Sequence, residues 1–323
     1  MTASAHTTGP HTGPGTGLDA STMVGAVDAA PPSGWRRLVH RVSGGRVNPG
    51  ESAGQSTDRA VQDRILTTLR GDYRIAVLSL KGGVGKTTTT VALGGMFASQ
   101  RGDRVIAVDA NPDLGTLAGR VVDEATPTVR DLLELPDSSR YPQVRSCTSQ
   151  AASRLAVIGS DRDPAVSEAF SESDYRRAVE VLQHHYNIIL TDCGTGLMHS
   201  AMTGVLDLAH MLVLVTSPAL DGARSAEATL DWLDHHGHGD LVANAVVVVS
   251  GAHPGQAAVD PDILTSHFSA RTRAVRGVPF DRHLSEGGVV DMGRLAPATF
   301  RAYRELAATV AEDFGSWHRH AAG

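Results

Sequence analysis

The sequence predicts an α/β fold, a mostly parallel sheet flanked by helices on both faces. Three observations predict it. Short apolar runs recur without polar alternation, as in Ile75–Leu80, Asn187–Thr191 and Met211–Thr216. Strands of that kind are buried on both faces, which marks a parallel sheet. Stretches with helical periodicity separate the runs, as crossover connections require. A glycine-rich turn, Gly82-Gly83-Val84-Gly85, joins the first run to the helical stretch after it.

Taken in order, residues 1–33 are rich in Gly, Pro, Thr, Ala and Ser. Such a stretch cannot bury enough apolar area to offset its ordering entropy, so a disordered tail is expected. Residues 34–72 are read as an arm and linker. Within them, Trp35, Leu38, Val39 and Val42 alternate with Arg36, Arg37 and Arg41 at helical spacing. Four readings stay open for Trp35–Val42: peripheral contact with a membrane, docking on a partner helix, contact with an anionic surface, or an arm packed on the main domain. A helix is expected from Asp58 to Leu69. The main domain is expected over residues 73–316, followed by a short tail, 317–323. Its strands are Ile75–Leu80, Arg104–Asp109, Leu155–Ile158, Asn187–Thr191, Met211–Thr216, Ala245–Ser250 and Ala274–Val278. Its helices are Thr87–Ser99, Asp174–His185, Ala201–Leu208, Ser225–His235, Asp260–Phe268 and Ala298–Phe314.

Bulk properties narrow the function class. The 323 residues are 41% hydrophobic and 20% charged, with a net charge of −6. That balance suits a globular protein and argues against one that coats nucleic acid. Two cysteines, Cys147 and Cys193, make no disulfide framework, and a reduced, cytoplasmic setting is expected. The fifteen histidines are scattered, and no zinc-type spacing is present. No apolar run approaches the ~20 residues that span a bilayer. The N-terminus lacks the apolar centre of a signal peptide.

The chain has two lysines, Lys81 and Lys86, and every other cation among its 29 Lys+Arg is arginine. Both lysines lie in Lys81-Gly82-Gly83-Val84-Gly85-Lys86-Thr87. A compact ammonium fits between phosphate oxygens where a planar guanidinium does not, so chemistry holds lysine here. The run follows a strand and opens a helix, as a phosphate-binding loop requires. Its glycines let backbone N–H groups turn toward phosphate, and the helix N-terminus adds its dipole. Lys86 is then assigned to the β/γ oxygens, Thr87 to Mg²⁺ and Thr88 to the α-phosphate of a nucleoside triphosphate. Asp192 ends an apolar strand, where a Walker B carboxylate orients Mg²⁺ or, alternatively, where an Asp caps the turn.

A lysine at the start of the loop is the deviant Walker A pattern, and the sequence here resembles the MinD/ParA family of P-loop ATPases. The resemblance covers about residues 73–316. It implies ATP and Mg²⁺ as ligands and an ATP-sandwich homodimer in which Lys81 touches the partner's phosphates. It maps a nucleotide-sensing switch onto Cys193–Gly196. Asp109-Ala110-Asn111-Pro112 looks like the family's first switch, where an aspartate positions the attacking water. Asn111 stands at that place, so hydrolysis is expected to be slow, with Asp113 as a nearby substitute. Family members carry Asn after the strand that here ends at Ser250, and contact adenine there and from the loop that here holds Pro279 and Asp281. Gly34–His40, Gly102–Ala110, Asp192–Gly196, Leu220–Ala223, Leu230–Leu233 and Pro279–His283 are similar to actinobacterial MinD-like ATPases associated with type VII (ESX) secretion.

The expectation is therefore a nucleotide switch that hydrolyses ATP slowly and regulates a protein partner, in type VII secretion or cell positioning. Two alternatives stay open: a DNA-partitioning ATPase using Arg271, Arg273 and Arg276, and a non-hydrolysing ATP-bound scaffold.

Overall fold

A computed structural model describes residues 53–111, 115–121, 127–160, 170–251 and 259–315. The tail over 1–33, the Trp35–Val42 segment, Pro112, Asp113 and the tail 317–323 lie outside the described residues. The chain divides into two compact units, Met1–Asp58 and Arg59–Gly323. The sheet and its surrounding helices belong to the second unit.

Eight strands form one sheet, in the order β3-β4-β2-β5-β1-β6-β7-β8. They are β1 (Tyr73–Leu78), β2 (Val105–Ala110), β3 (Ser149–Gln150), β4 (Ala156–Ile158), β5 (Ile188–Cys193), β6 (Met211–Thr216), β7 (Val246–Ser250) and β8 (Ala274–Val278). Every pairing is parallel except β3 with β4. The expected α/β class is the one observed. β2, β5 and β6 are buried along their whole length, which explains their continuous apolar sequences.

Side-chain alternation along β1 distributes its residues between two cores. Ile75 and Val77 join the core beneath α2 (Lys86–Gln100) and α11 (Pro297–Ala311), with Phe97, Leu306 and Phe314. Ala76 and Leu78 join the opposite core. That one is covered by α5 (Glu172–Leu182), α6 (Ser200–Leu208), α7 (Leu220–His235) and α9 (Pro261–Ser269), through Val179, Val205, Leu230 and Phe268. The remaining helices are short, apart from the first: α1 (Ala53–Ile65), α3 (Val129–Leu133), α4 (Tyr141–Ser146), α8 (Gly239–Ala243) and α10 (Arg282–Ser285). Val61 and Ile65, on the second half of α1, are part of the first core.

Several boundaries differ from expectation, each for a local reason. β1 ends at Leu78 rather than Leu80 because the Ser79 hydroxyl donates to the Lys81 carbonyl (2.8 Å) and accepts from the Lys81 N–H (3.3 Å), starting the turn early. α1 stops at Ile65 rather than Leu69. The Arg101 guanidinium takes the carbonyls of Ile65 and Thr67, the latter at 2.8 Å, and the chain then extends into β1. β5 continues to Cys193, two residues past the expected end at Thr191, so Asp192 lies inside the paired strand. β2 includes Asp109, as expected, and runs one residue further to Ala110. α7 begins at Leu220, five residues before the expected start at Ser225.

Candidate functional site

The site is built at the C-terminal ends of the central strands. β1 leads into residues 79–85, and Gly83 and Gly85 sit at φ 76° and 93°, a left-handed region that costs glycine nothing and other residues strain. Gly85 occupies the N-cap of α2, and no side chain caps that end. The first N–H groups of a helix have no intrahelical acceptors, so this N-terminus offers donors and a positive dipole end to an anion.

Beneath the loop lies Asp192, 1% exposed. Its carboxylate accepts from Lys86 Nζ (2.7 Å), Thr87 Oγ1 (2.7 Å) and Thr90 Oγ1 (3.2 Å). Strand pairing sets Asp109 directly beside it. Asp109 accepts from the Asn111 N–H and the Leu117 N–H, both at 3.1 Å, and so ties both residues to the end of β2. Burial, reinforced by the neighbouring Asp192 charge, pushes the Asp109 carboxyl from the ordinary 3.8 to about 7. Those two hydrogen bonds and the Lys86 charge oppose the rise.

A raised carboxyl pKa has a defined sign for stability. Between pH 3.8 and about 7 the folded protein holds a proton that the unfolded chain has released. The contribution is complete below the unfolded value and is lost as pH rises through about 7. Without nucleotide, the Tm of wild type minus that of Asp109→Asn should fall between about pH 5 and about pH 7.5. A difference that stays constant with pH would contradict this assignment.

The loop opens on a cavity of about 660 Å³. Lys81, Gly82, Gly83, Val84, Gly85, Lys86, Thr87, Thr88, Asn111, Ser250, Pro279 and Asp281 all line it. The structure thus brings these sequence-selected residues together, with Asp109 and Asp192 buried behind them. Three have further local duties. Lys81 Nζ pairs with the Asp221 carboxylate at the start of α7, and that hydrogen bond holds Asp221 below its ordinary pKa. Ser250 Oγ packs against the loop, 3.2 Å from where a Cβ on Gly85 would lie. Asp281 accepts from the N–H groups of His283 (2.9 Å), Leu284 (3.4 Å) and Ala296 (2.9 Å). Burial pushes its carboxyl up, but the backbone hydrogen bonds oppose the rise, and the group lies below its ordinary value. The Asp281 carboxylate is therefore engaged in shaping its loop.

Cys193 follows Asp192, and burial pushes its thiol up to about 12, so it is a packed side chain rather than a reactive thiolate. Sequence reasoning missed Arg120, Thr116 and Tyr303, which also line the cavity. It gave no separate role to Gly251, which follows Ser250 and also lines the cavity. The Gly251 N–H donates to the Val278 carbonyl at 2.6 Å, and a Cβ there would lie 2.3 Å from Phe280 N. The crossing of β7 with the Pro279–Phe280 loop demands a glycine, but no spacing in the sequence announces that crossing.

The residues present fit a nucleotide and Mg²⁺. An uncapped helix end, two left-handed glycines and an adjacent ammonium suit a polyphosphate. The Thr87 hydroxyl and the Asp192 carboxylate are hard oxygen donors on one spot. Mg²⁺ is usually held by one or two carboxylates plus substrate phosphates rather than by a protein cage. No group of three or more His, Cys, Asp or Glu able to hold a metal is found among the described residues.

The profile of the CobQ/CobB/MinD/ParA nucleotide-binding domain matches residues 75–317. The chain belongs to that family. It is 37% identical over 283 residues to the ESX-1 secretion-associated protein EspI of Mycobacterium tuberculosis, an alignment covering 87% of this chain and 42% of EspI. It therefore spans less than half the length of that relative. Among solved structures, a ParA-family ATPase from Chlorobium tepidum superimposes with a TM-score of 0.61 at 17% identity, over 73% of this chain and 98% of that one. The septum site-determining protein MinD of Pyrococcus horikoshii, complexed with Mg-ADP, gives 0.58 at 20% identity, over 73% and 94%. These two likenesses establish the fold.

Proposed function

We propose that this chain is an ATP-binding nucleotide switch that hydrolyses ATP slowly, closes as a homodimer around Mg-ATP and so regulates a protein partner. The arrangement that carries the reading is the uncapped N-terminus of α2 with Lys86, Thr87 and Asp192 gathered beneath it. On nucleotide binding, Lys86 exchanges Asp192 for phosphate oxygens. Thr87 and Asp192 present oxygens to Mg²⁺, which supplies charge neutralisation at the phosphates. Asn111 stands at the cavity wall where a water-positioning carboxylate would speed turnover.

The homodimer reading assigns Lys81 to the partner's phosphates. Its present pairing with Asp221 joins side chains 39% and 67% exposed, and exposed ion pairs of this kind are easily exchanged. Met198, close after the Cys193–Gly196 switch, and Leu220, beside cavity-lining Ala219, are exposed apolar side chains suited to a protein contact. Likeness to EspI supports a partner in a type VII secretion setting. A cytoplasmic place is part of the same proposal, and no helix among the described residues is long and apolar enough to cross a membrane.

A DNA-partitioning role draws less support. Arg271 is paired with Asp231 and Asp234, both at 2.6 Å. Arg273 donates to the Thr309 carbonyl (2.6 Å) and Arg276 to the Thr309 hydroxyl (2.9 Å). These guanidiniums are committed within the fold rather than arrayed for phosphate backbones.

Light scattering after size-exclusion chromatography tests the switch. Mg-ATP should give a dimer and Mg-ADP a monomer. A monomer in saturating Mg-ATP would refute the homodimer.

A further inference from the structure

The cavity holds one cation whose situation differs from that of Lys81 and Lys86. Arg120 ends a 3₁₀ turn, Ala118–Arg120, and lines the same cavity as the glycine loop. Its Nη1 is buried and has no hydrogen-bond partner among the described residues, and no ion pair to its guanidinium is found there either. Lys86 has Asp192 as counter-ion and Lys81 has Asp221. Among the described residues, Arg120 is thus a partly buried guanidinium with no acceptor for its buried Nη1. Burial pulls its pKa down, which the Asp192 charge only partly offsets.

Its position is built rather than accidental. The turn is anchored by Leu117, fully buried in the core, whose N–H is held by the Asp109 carboxylate. From the far side, the Val290 N–H donates to the Arg120 carbonyl at 2.8 Å. Two elements therefore fix the backbone of a residue whose charged head is left unsatisfied. Leaving a buried donor unmade is costly, and a guanidinium is the side chain best matched to phosphate oxygens.

We propose that Arg120 is a phosphate-binding residue of this cavity, supplying a guanidinium from within the same chain to the polyphosphate of the bound nucleotide. The inference rests on the proposed nucleotide binding. It assigns the segment after β2 a second task besides presenting Asn111. When nucleotide binds, Arg120 gains its missing acceptor, so Asp109, Leu117 and Arg120 become a mechanical link between the phosphates and the β2 edge.

The test is isothermal titration of Mg-ATP into wild type, Arg120→Gln and Arg120→Lys, with nucleotide-free thermal unfolding of each. Arg120→Gln should bind ATP roughly tenfold or more weakly, the worth of a lost charge-assisted hydrogen bond. Its nucleotide-free Tm should equal or exceed that of wild type, because the guanidinium has no partner to lose among the described residues. Arg120→Lys should recover part of the affinity. Unchanged ATP affinity in Arg120→Gln would overturn the proposal while leaving the nucleotide reading intact. A fall in affinity accompanied by a fall of several degrees in Tm would also overturn it, since the role would then be structural. A wild type that binds no ATP would instead defeat the nucleotide reading itself.

Discussion

Lys86→Ala should abolish measurable ATP binding and, separately, destabilise the nucleotide-free protein by about 3 kcal/mol. The first effect comes from losing the ammonium at the phosphates. The second comes from the charge left behind. The Lys86 side chain is 10% exposed and that of Asp192 is 1% exposed, so their 2.7 Å pair is a buried one. Removing one partner of such a pair strands the other charge. Asp192 would keep the hydroxyls of Thr87 and Thr90, which cannot cancel a full charge, and it would still face the Asp109 carboxyl. A second change, Asp192→Asn in the same chain, should return most of the lost stability without returning ATP binding. Urea unfolding without nucleotide reads the stability, and titration calorimetry reads the binding. If Lys86→Ala were as stable as wild type, the buried pair of Lys86 with Asp192 would not contribute to the stability of the nucleotide-free protein.

That prediction was half legible in the sequence. The glycine loop and its lysines stand at a spacing that a motif reading selects, so the residues lining the loop end of the cavity were recoverable from the sequence. Register was less accessible. Nothing in the order of residues says that β2 and β5 are neighbours, and only that pairing places Asp109 beside Asp192 and raises its pKa. Contacts made by loops were inaccessible for a related reason. Arg120 enters the cavity because Asp109 and Val290 position its turn, and the bond from Val290 joins distant parts of the chain. Asp281 shows the converse. The loop was identified, but its carboxylate proved to be occupied by three backbone N–H groups, which only the fold of residues 281–296 creates. The arginines at 271, 273 and 276 read as a basic cluster in sequence, yet each is absorbed by a carboxylate, carbonyl or hydroxyl on another element.

Asn111→Asp should raise phosphate release from Mg-ATP roughly tenfold or more above wild type, with wild type itself above a Lys86→Ala blank. β2 ends at Ala110, and the Asn111 N–H is fixed by Asp109 Oδ1 at 3.1 Å, so the backbone at 111 is already placed at the cavity wall. An amide there can hold a water but cannot take its proton. Phosphoryl transfer relies mainly on positioning and charge stabilisation, so the missing base slows turnover without removing it. The new carboxylate would be a third acid near Asp109 and Asp192, and Mg²⁺ is the charge that makes such a group tolerable. Its benefit should therefore appear only with metal bound, while the nucleotide-free variant should be slightly less stable than wild type, most so at high pH. Zero release by wild type together with release by Asn111→Asp would mean that this chain holds ATP as a latch. Equal release by both proteins would show that residue 111 does not limit the reaction.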